Sequence, residues 1–84
     1  MNETIADIIR KAVPGSTVHV LGDDGQHFSA LVISAQFEGV SLIKQHKMVM
    51  TPLKEEFAER LHALQLKTFT PEKWDAQKSQ FGFE

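Results

Sequence analysis

Residues 62–74, HALQLKTFTPEKW, place a strand and a helix start side by side. From His62 to Thr68 the pattern alternates: His62, Leu64 and Leu66 turn to one face, Ala63, Gln65 and Lys67 to the other. Thr70 then reads as a helix cap, and Pro71 takes the first helical position, where a missing N–H costs nothing. Phe69 stands where it can staple onto Trp74 across that turn. A strand entering a helix so abruptly defines the end of the fold, and the upstream chain must supply the rest of the sheet.

Working back, residues 41–60 keep Leu42, Ile43, Val49, Met50, Leu53 and Phe57 at helical spacing, with Leu61 just beyond. Pro52 interrupts this stretch; it donates no N–H and its ring meets the carbonyl four residues back, so a kink or a split is expected. Thr17–Leu21 and Phe28–Ala35 are rich in β-branched and aromatic residues around Gly22-Asp23-Asp24-Gly25, which predicts a β-hairpin. Phe37-Glu38-Gly39 turns the chain toward the helical stretch. At the start, Ile5, Ile8, Ile9 and Ala12 form one face of a short amphipathic helix. Asn2 serves as its cap, Glu3 and Asp7 suit its N-terminal end, Arg10 and Lys11 its C-terminal end, and Pro14-Gly15 stops it. Residues 80–84 are expected to fray.

The order is therefore α-β-β-α-β-α. The hairpin is antiparallel, whereas strands joined by a helical crossover run parallel. The expectation is an α/β (α+β) domain spanning 1–84: a three-stranded mixed sheet, with the helices covering one of its faces.

Composition narrows the chemistry. Hydrophobic residues are 42% and charged residues 24% of the 84, an ordinary globular balance for one domain. No stretch approaches the ~18 apolar residues of a membrane span, and Met1-Asn2-Glu3-Thr4 has neither a basic start nor a hydrophobic signal region, so a cytoplasmic location is expected. The absence of cysteine excludes disulfides, thiolate nucleophiles and cysteine metal cages. Any transition-metal site must use the four histidines, completed by carboxylates or a partner. No serine, histidine and acid fall in a nucleophile arrangement, and no glycine-rich phosphate loop precedes a helix. Asp23 and Asp24 read as turn residues. An enzyme is not expected. The net charge is −2, yet residues 39–54 hold Lys44, Lys47 and Lys54 without an acid, and Glu55, Glu56 and Glu59 follow at once.

Four segments in this order, F-E-G from Phe37, L-I-K-Q-H-K-M-V from Leu42, L-H-A-L-Q-L-K-T from Leu61 and T-P-E-K-W from Thr70, resemble the BolA family. The hairpin and first helix extend the resemblance over nearly the whole chain. The short length and G-Q-H-F, residues 25–28, are most similar to the IbaG-type bacterial branch. The resemblance implies a fold like a class II KH domain. It also implies heterodimers with monothiol glutaredoxins, bridged by a 2Fe–2S cluster. His62 matches the histidine that the family contributes just before its third strand, and His27 the second ligand, in the loop between the first two strands. The glutaredoxin cysteine and glutathione would supply the remaining ligands. Alone, the chain is expected to be a monomer or weak dimer.

By pattern alone, His62 reads as a boundary histidine bonded to backbone, and His27 as an exposed loop residue. His46 falls with Leu42, Val49 and Leu53, at or near the core edge, as a packed and hydrogen-bonded residue. His19 points to the opposite side of its strand from Val18 and Val20 and reads as solvent-facing. The alternative function is nucleic-acid binding, as a transcriptional regulator. KH-like domains clamp single strands through a helix–GXXG–helix element; here Met50-Thr51-Pro52-Leu53 occupies the expected helical break, but Lys44, Lys47 and Lys54 would contact phosphates. The plainer reading of those lysines is the solvated face of an amphipathic helix. A third possibility is metal-free protein docking around His62, the basic helix and Trp74, with Phe81 and Phe83 adding apolar contacts or covering the last helix.

Overall fold

The computed structural model describes residues 2–22, 28–57 and 64–83, with Asn2, Glu3, Glu56 and Phe57 described as backbone. Helix α1 (Asn2–Ala12) leads to β1 (Thr17–Leu21) and β2 (Phe28–Ile33), then a 3-10 turn at Ala35–Phe37 and the long α2 (Leu42–Phe57). Strand β3 (Leu64–Phe69), α3 (Pro71–Gln77) and a 3-10 turn at Lys78–Phe81 complete it. The sheet order is β1-β2-β3. β1 runs antiparallel to β2, with His19 opposite Leu31, and β3 runs parallel to β2, with Leu31 opposite Lys67. This is the mixed sheet expected from the alternation of hairpin and helical crossover.

The helices close both faces of the sheet, not one. Val18 of β1 and Phe28, Ala30 and Val32 of β2 turn toward α1 and α2, where Ile9, Val13, Phe37, Val49 and Leu53 are almost completely buried. On the other face Leu31, Ile33 and Phe69 form a second buried cluster, covered by Trp74, Phe81 and Phe83. Period-two alternation makes this possible: β2 is buried on both sides, as a central strand covered by two layers must be.

Local signals account for most boundaries. The Thr70 hydroxyl accepts from the Lys73 N–H and Pro71 opens α3, while the Phe69 and Trp74 rings lie 5.2 Å apart, the expected staple. Ser41 caps α2, its hydroxyl accepting from the Lys44 N–H. β2 ends at Ile33 instead of continuing to Ala35, because Ser34 caps the 3-10 turn by accepting from the Gln36 N–H. Gly15 follows α1 with φ +82, a left-handed turn that a side chain would strain.

Pro52 does not split α2, which is assigned as one helix through it. The proline interrupts one backbone bond, but Val49 and Leu53 on either side are both fully buried in the same core. Burial of both in one core offsets the local cost of about 3 kcal/mol. Gln45 supplies a polar clip in this layer. Its amide donates to the Phe37 and Val40 carbonyls, and its carbonyl accepts from the Thr68 hydroxyl, tying the turn, α2 and β3 together.

Residues 80–83 are not a frayed tail. Gly82, at φ +84, caps the final 3-10 turn by donating back to the carbonyls of Lys78 and Ser79, and Phe81 and Phe83 pack onto Trp74.

Candidate functional site

The parallel pair β2/β3 brings two strand starts together: Phe28, the first residue of β2, is the register partner of Leu64, the first of β3. In the sequence His27 immediately precedes Phe28, and His62 precedes Leu64 by two positions. His27 and His62 themselves lie outside the described residues, as do Asp23, Asp24 and Gly25. Phe28 is buried at the start of its strand and Leu64 half-buried, so this end of the sheet is anchored in the core. The neighbouring row on the opposite face, Leu21–Ser29–Gln65, follows from the same register. Leu21 there is 41% exposed, because the aromatic cover is centred farther along the sheet.

The other two histidines stand elsewhere. His19 is half-buried, not solvent-facing: its ring lies 4.4 Å from that of Phe83 and 5.8 Å from that of Trp74. Alternation assigns its side correctly, but residues 74–83 cover that side. His46 is half-buried at the rim of α2, beside Ile43, Met50 and Lys54 in a shallow surface depression. Among the described residues it makes no hydrogen bond, so it is a rim residue where a hydrogen-bonded one was expected. Among the described residues no three histidine or carboxylate side chains converge as a metal site.

Lys44, Lys47 and Lys54 are all exposed on α2. The structure separates them: Lys44 and Lys47 edge a groove between α1 and α2, and Lys54 lies on the neighbouring depression, which Lys47 shares. The groove, of about 870 Å³, has an apolar floor that includes Ile8 and Ala12 from α1 and Met48 and Pro52 from α2. Lys11 joins its basic rim. Sequence reasoning assigned Lys11 only to the helix dipole. The missed signal was spacing, since Ile8 and Ala12 flank the buried Ile5–Ile9 stripe, one step around α1.

Comparison with known proteins comes down on one family. The family model described as BolA-like protein matches residues 4–73. The acid stress protein IbaG of Escherichia coli K12 is 35% identical over 83 residues, covering 98% of each chain. A solved structure of a bolA protein homologue from Coxiella burnetii superposes with TM-score 0.73 at 33% identity, covering 89% of this chain and 96% of that one. A Haemophilus influenzae protein named DNA-binding transcriptional regulator BolA is 39% identical over 51 residues, 61% of this chain and 50% of that protein.

Proposed function

The chain belongs to the BolA-like protein family, and from that premise we propose that it is a non-enzymatic partner of a monothiol glutaredoxin, with which it shares a 2Fe–2S cluster through His62 and His27. The reading serves iron–sulfur trafficking or an iron or stress response, and the E. coli relative bears the name of an acid stress protein.

The observation that carries it is the pairing of Phe28 with Leu64. Adjacent strands lie about 4.8 Å apart, and each peptide link adds at most ~3.8 Å. His27 and His62 are therefore tethered, by one link and two, to neighbouring strand starts at the same end of the sheet. The parallel sense is what matters: antiparallel β2 and β3 would send the two histidines to opposite ends.

The donor set also suits a shared site. Neutral imidazole binds iron, and two imidazoles in place of two thiolates raise the cluster potential. With no cysteine in the chain, thiolate ligands must come from the partner and glutathione. His62 and His27 would replace one glutaredoxin subunit of a cluster-bridged homodimer, each presenting a neutral ring nitrogen. A protonated imidazole cannot do this. Sharing should therefore weaken as pH falls below about 6, near the ordinary histidine range.

The test mixes this protein with a cluster-loaded monothiol glutaredoxin and glutathione and follows visible absorption and circular dichroism. A 1:1 complex with altered cluster spectra is expected, lost in His62→Ala and weakened in His27→Ala. Binding without any spectral change, or equal cluster stability at about pH 5.5 and about pH 7.5, would overturn the ligand assignment.

A second reading, a nucleic-acid-binding transcriptional regulator, draws support from the exposure of Lys44, Lys47 and Lys54 along α2 and from the name of the Haemophilus relative. Three phosphate contacts would give a slope of about −2 to −3 in log K against log salt. A flat salt series in a gel-shift titration would remove this reading.

A further inference from the structure

We propose that the groove between α1 and α2 is a docking site for an acidic amphipathic helix of a partner protein. None of its described lining residues is a histidine, and the proposal stands whether or not a cluster is shared.

Its shape follows from helix periodicity. On α2, Lys44, Lys47, Met48, Thr51, Pro52 and Glu55 share one face, each lying three or four residues from others of the set, as Ile8 does from Lys11 and Ala12 on α1. The α2 stripe spans about 16 Å at 1.5 Å per residue, three turns of an incoming helix. Five apolar residues line it, Ile8, Ala12, Val40, Met48 and Pro52, and all five stay half-buried. Methionine at such a floor adapts to varied apolar side chains.

Charge selects the occupant. Lys11, Lys44 and Lys47 edge the groove, and among its described lining residues Glu55 is the single acid, at one end. Among the described residues none of the three ammonium groups has a carboxylate within 4.0 Å. This basic rim belongs to a chain of net charge −2, so the positive field is local. An apolar floor between positive edges fits a helix that presents aliphatic residues at i, i+3, i+4 and i+7, flanked by glutamates or aspartates. A small anionic amphiphile fits less well, because the groove is open along its length and would leave much of such a ligand in water. A nucleic-acid strand fits less well too, since none of the described residues lining the groove carries an aromatic ring for a base to stack on.

The test uses the full chain and a fluorescein-labelled helical peptide of about 14 residues, with leucines on one face and glutamates flanking them. Saturable binding by anisotropy is expected, with amide shifts at Ile8, Ala12, Met48 and Thr51. The triple variant Lys11→Glu/Lys44→Glu/Lys47→Glu should weaken it at least ~tenfold at low salt, and a peptide with lysines in place of the glutamates should bind wild type equally poorly. All three lysines are exposed, so circular dichroism should show the variant folded. Met48→Gln keeps the rim and should also reduce binding. The proposal is overturned if the lysine peptide binds as well as the glutamate one, or if the shifts fall around Trp74 instead. It is equally overturned if oligothymidylate of roughly 12 nucleotides binds these lysines more tightly, or if the groove is covered by a second copy of this chain in a stable dimer.

Discussion

The two faces of the sheet are closed by different means. Toward α1 and α2 the packing is mainly aliphatic around Phe37, with Ile9, Val13, Val32, Val49 and Leu53 each fully buried. Toward α3 it is aromatic and partial: Trp74, Phe81 and Phe83 all stay half-buried, and His19 packs beside both Trp74 and Phe83. A long helix can bury a continuous stripe. The seven-residue α3 cannot, so a few large rings and a capped turn cover the remaining area. The difference teaches that stability should be concentrated in the first layer, with the second free to open separately.

The strongest test is Phe37→Ala. Phe37 is 1% exposed in the first layer, and deleting such a ring costs about 4 kcal/mol. Total stability for a domain of this size is on the order of 5–12 kcal/mol, so urea denaturation should show about a third or more of it gone and a melting temperature lower by roughly 20 °C. A loss below about 1.5 kcal/mol would break the comparison, because the first layer would then not dominate.

Trp74→Ala should come next, at about 2 kcal/mol. The ring is large but half-buried, so less than the cost for a fully buried aromatic applies. Native-state hydrogen exchange sharpens the point. Amides of α3 and the Lys78–Phe81 turn should exchange through a sub-global opening that leaves Val49 and Leu53 protected. If both groups exchange with one free energy, the two faces form a single cooperative unit.

Thr70→Ala should cost about 1 kcal/mol. The hydroxyl satisfies the Lys73 N–H at the start of α3, and a helix this short has little propagation to compensate for a lost cap. Thermal unfolding read by Trp74 fluorescence should shift by roughly 5 °C.

The same contrast explains what the sequence makes legible. The start of α3 is written locally in Phe69, Thr70, Pro71 and Trp74, and the structure uses each of them as its chemistry suggests. Strand alternation places Leu31 and Ile33 opposite Ala30 and Val32. It cannot say what lies over Leu31, because Phe81 and Phe83 follow a terminated helix and carry no periodic signal. Solvent was therefore the natural expectation for His19. Pro52 works in the converse way: of the kink or split that it signals, the split is overruled by tertiary packing at Val49 and Leu53. At the candidate site, the positions of His27 and His62 just ahead of two strands are legible. That the two strand starts following them are neighbours rests on the Phe28–Leu64 register, which needs the crossover to be parallel. The groove was not legible, because two helices distant in sequence share its floor.

The smallest effect probes the edge of the aromatic face. Lys67 is exposed on β3, and its ammonium sits 5.1 Å from the centroid of Phe81. An exposed cation over a ring contributes about 0.5 kcal/mol, so Lys67→Ala should lower the melting temperature by only about 3 °C. Removing the whole side chain also removes the aliphatic stem, which covers part of the ring. Lys67→Met separates the two: it keeps a long apolar stem and discards the charge. If the cation matters, Met and Ala destabilise alike, and both effects vanish in a Phe81→Leu background. If the stem matters, Met restores wild-type stability. The second result would make the partial cover of this face a matter of area alone, and the contrast between the two layers would then reduce to how much surface each buries.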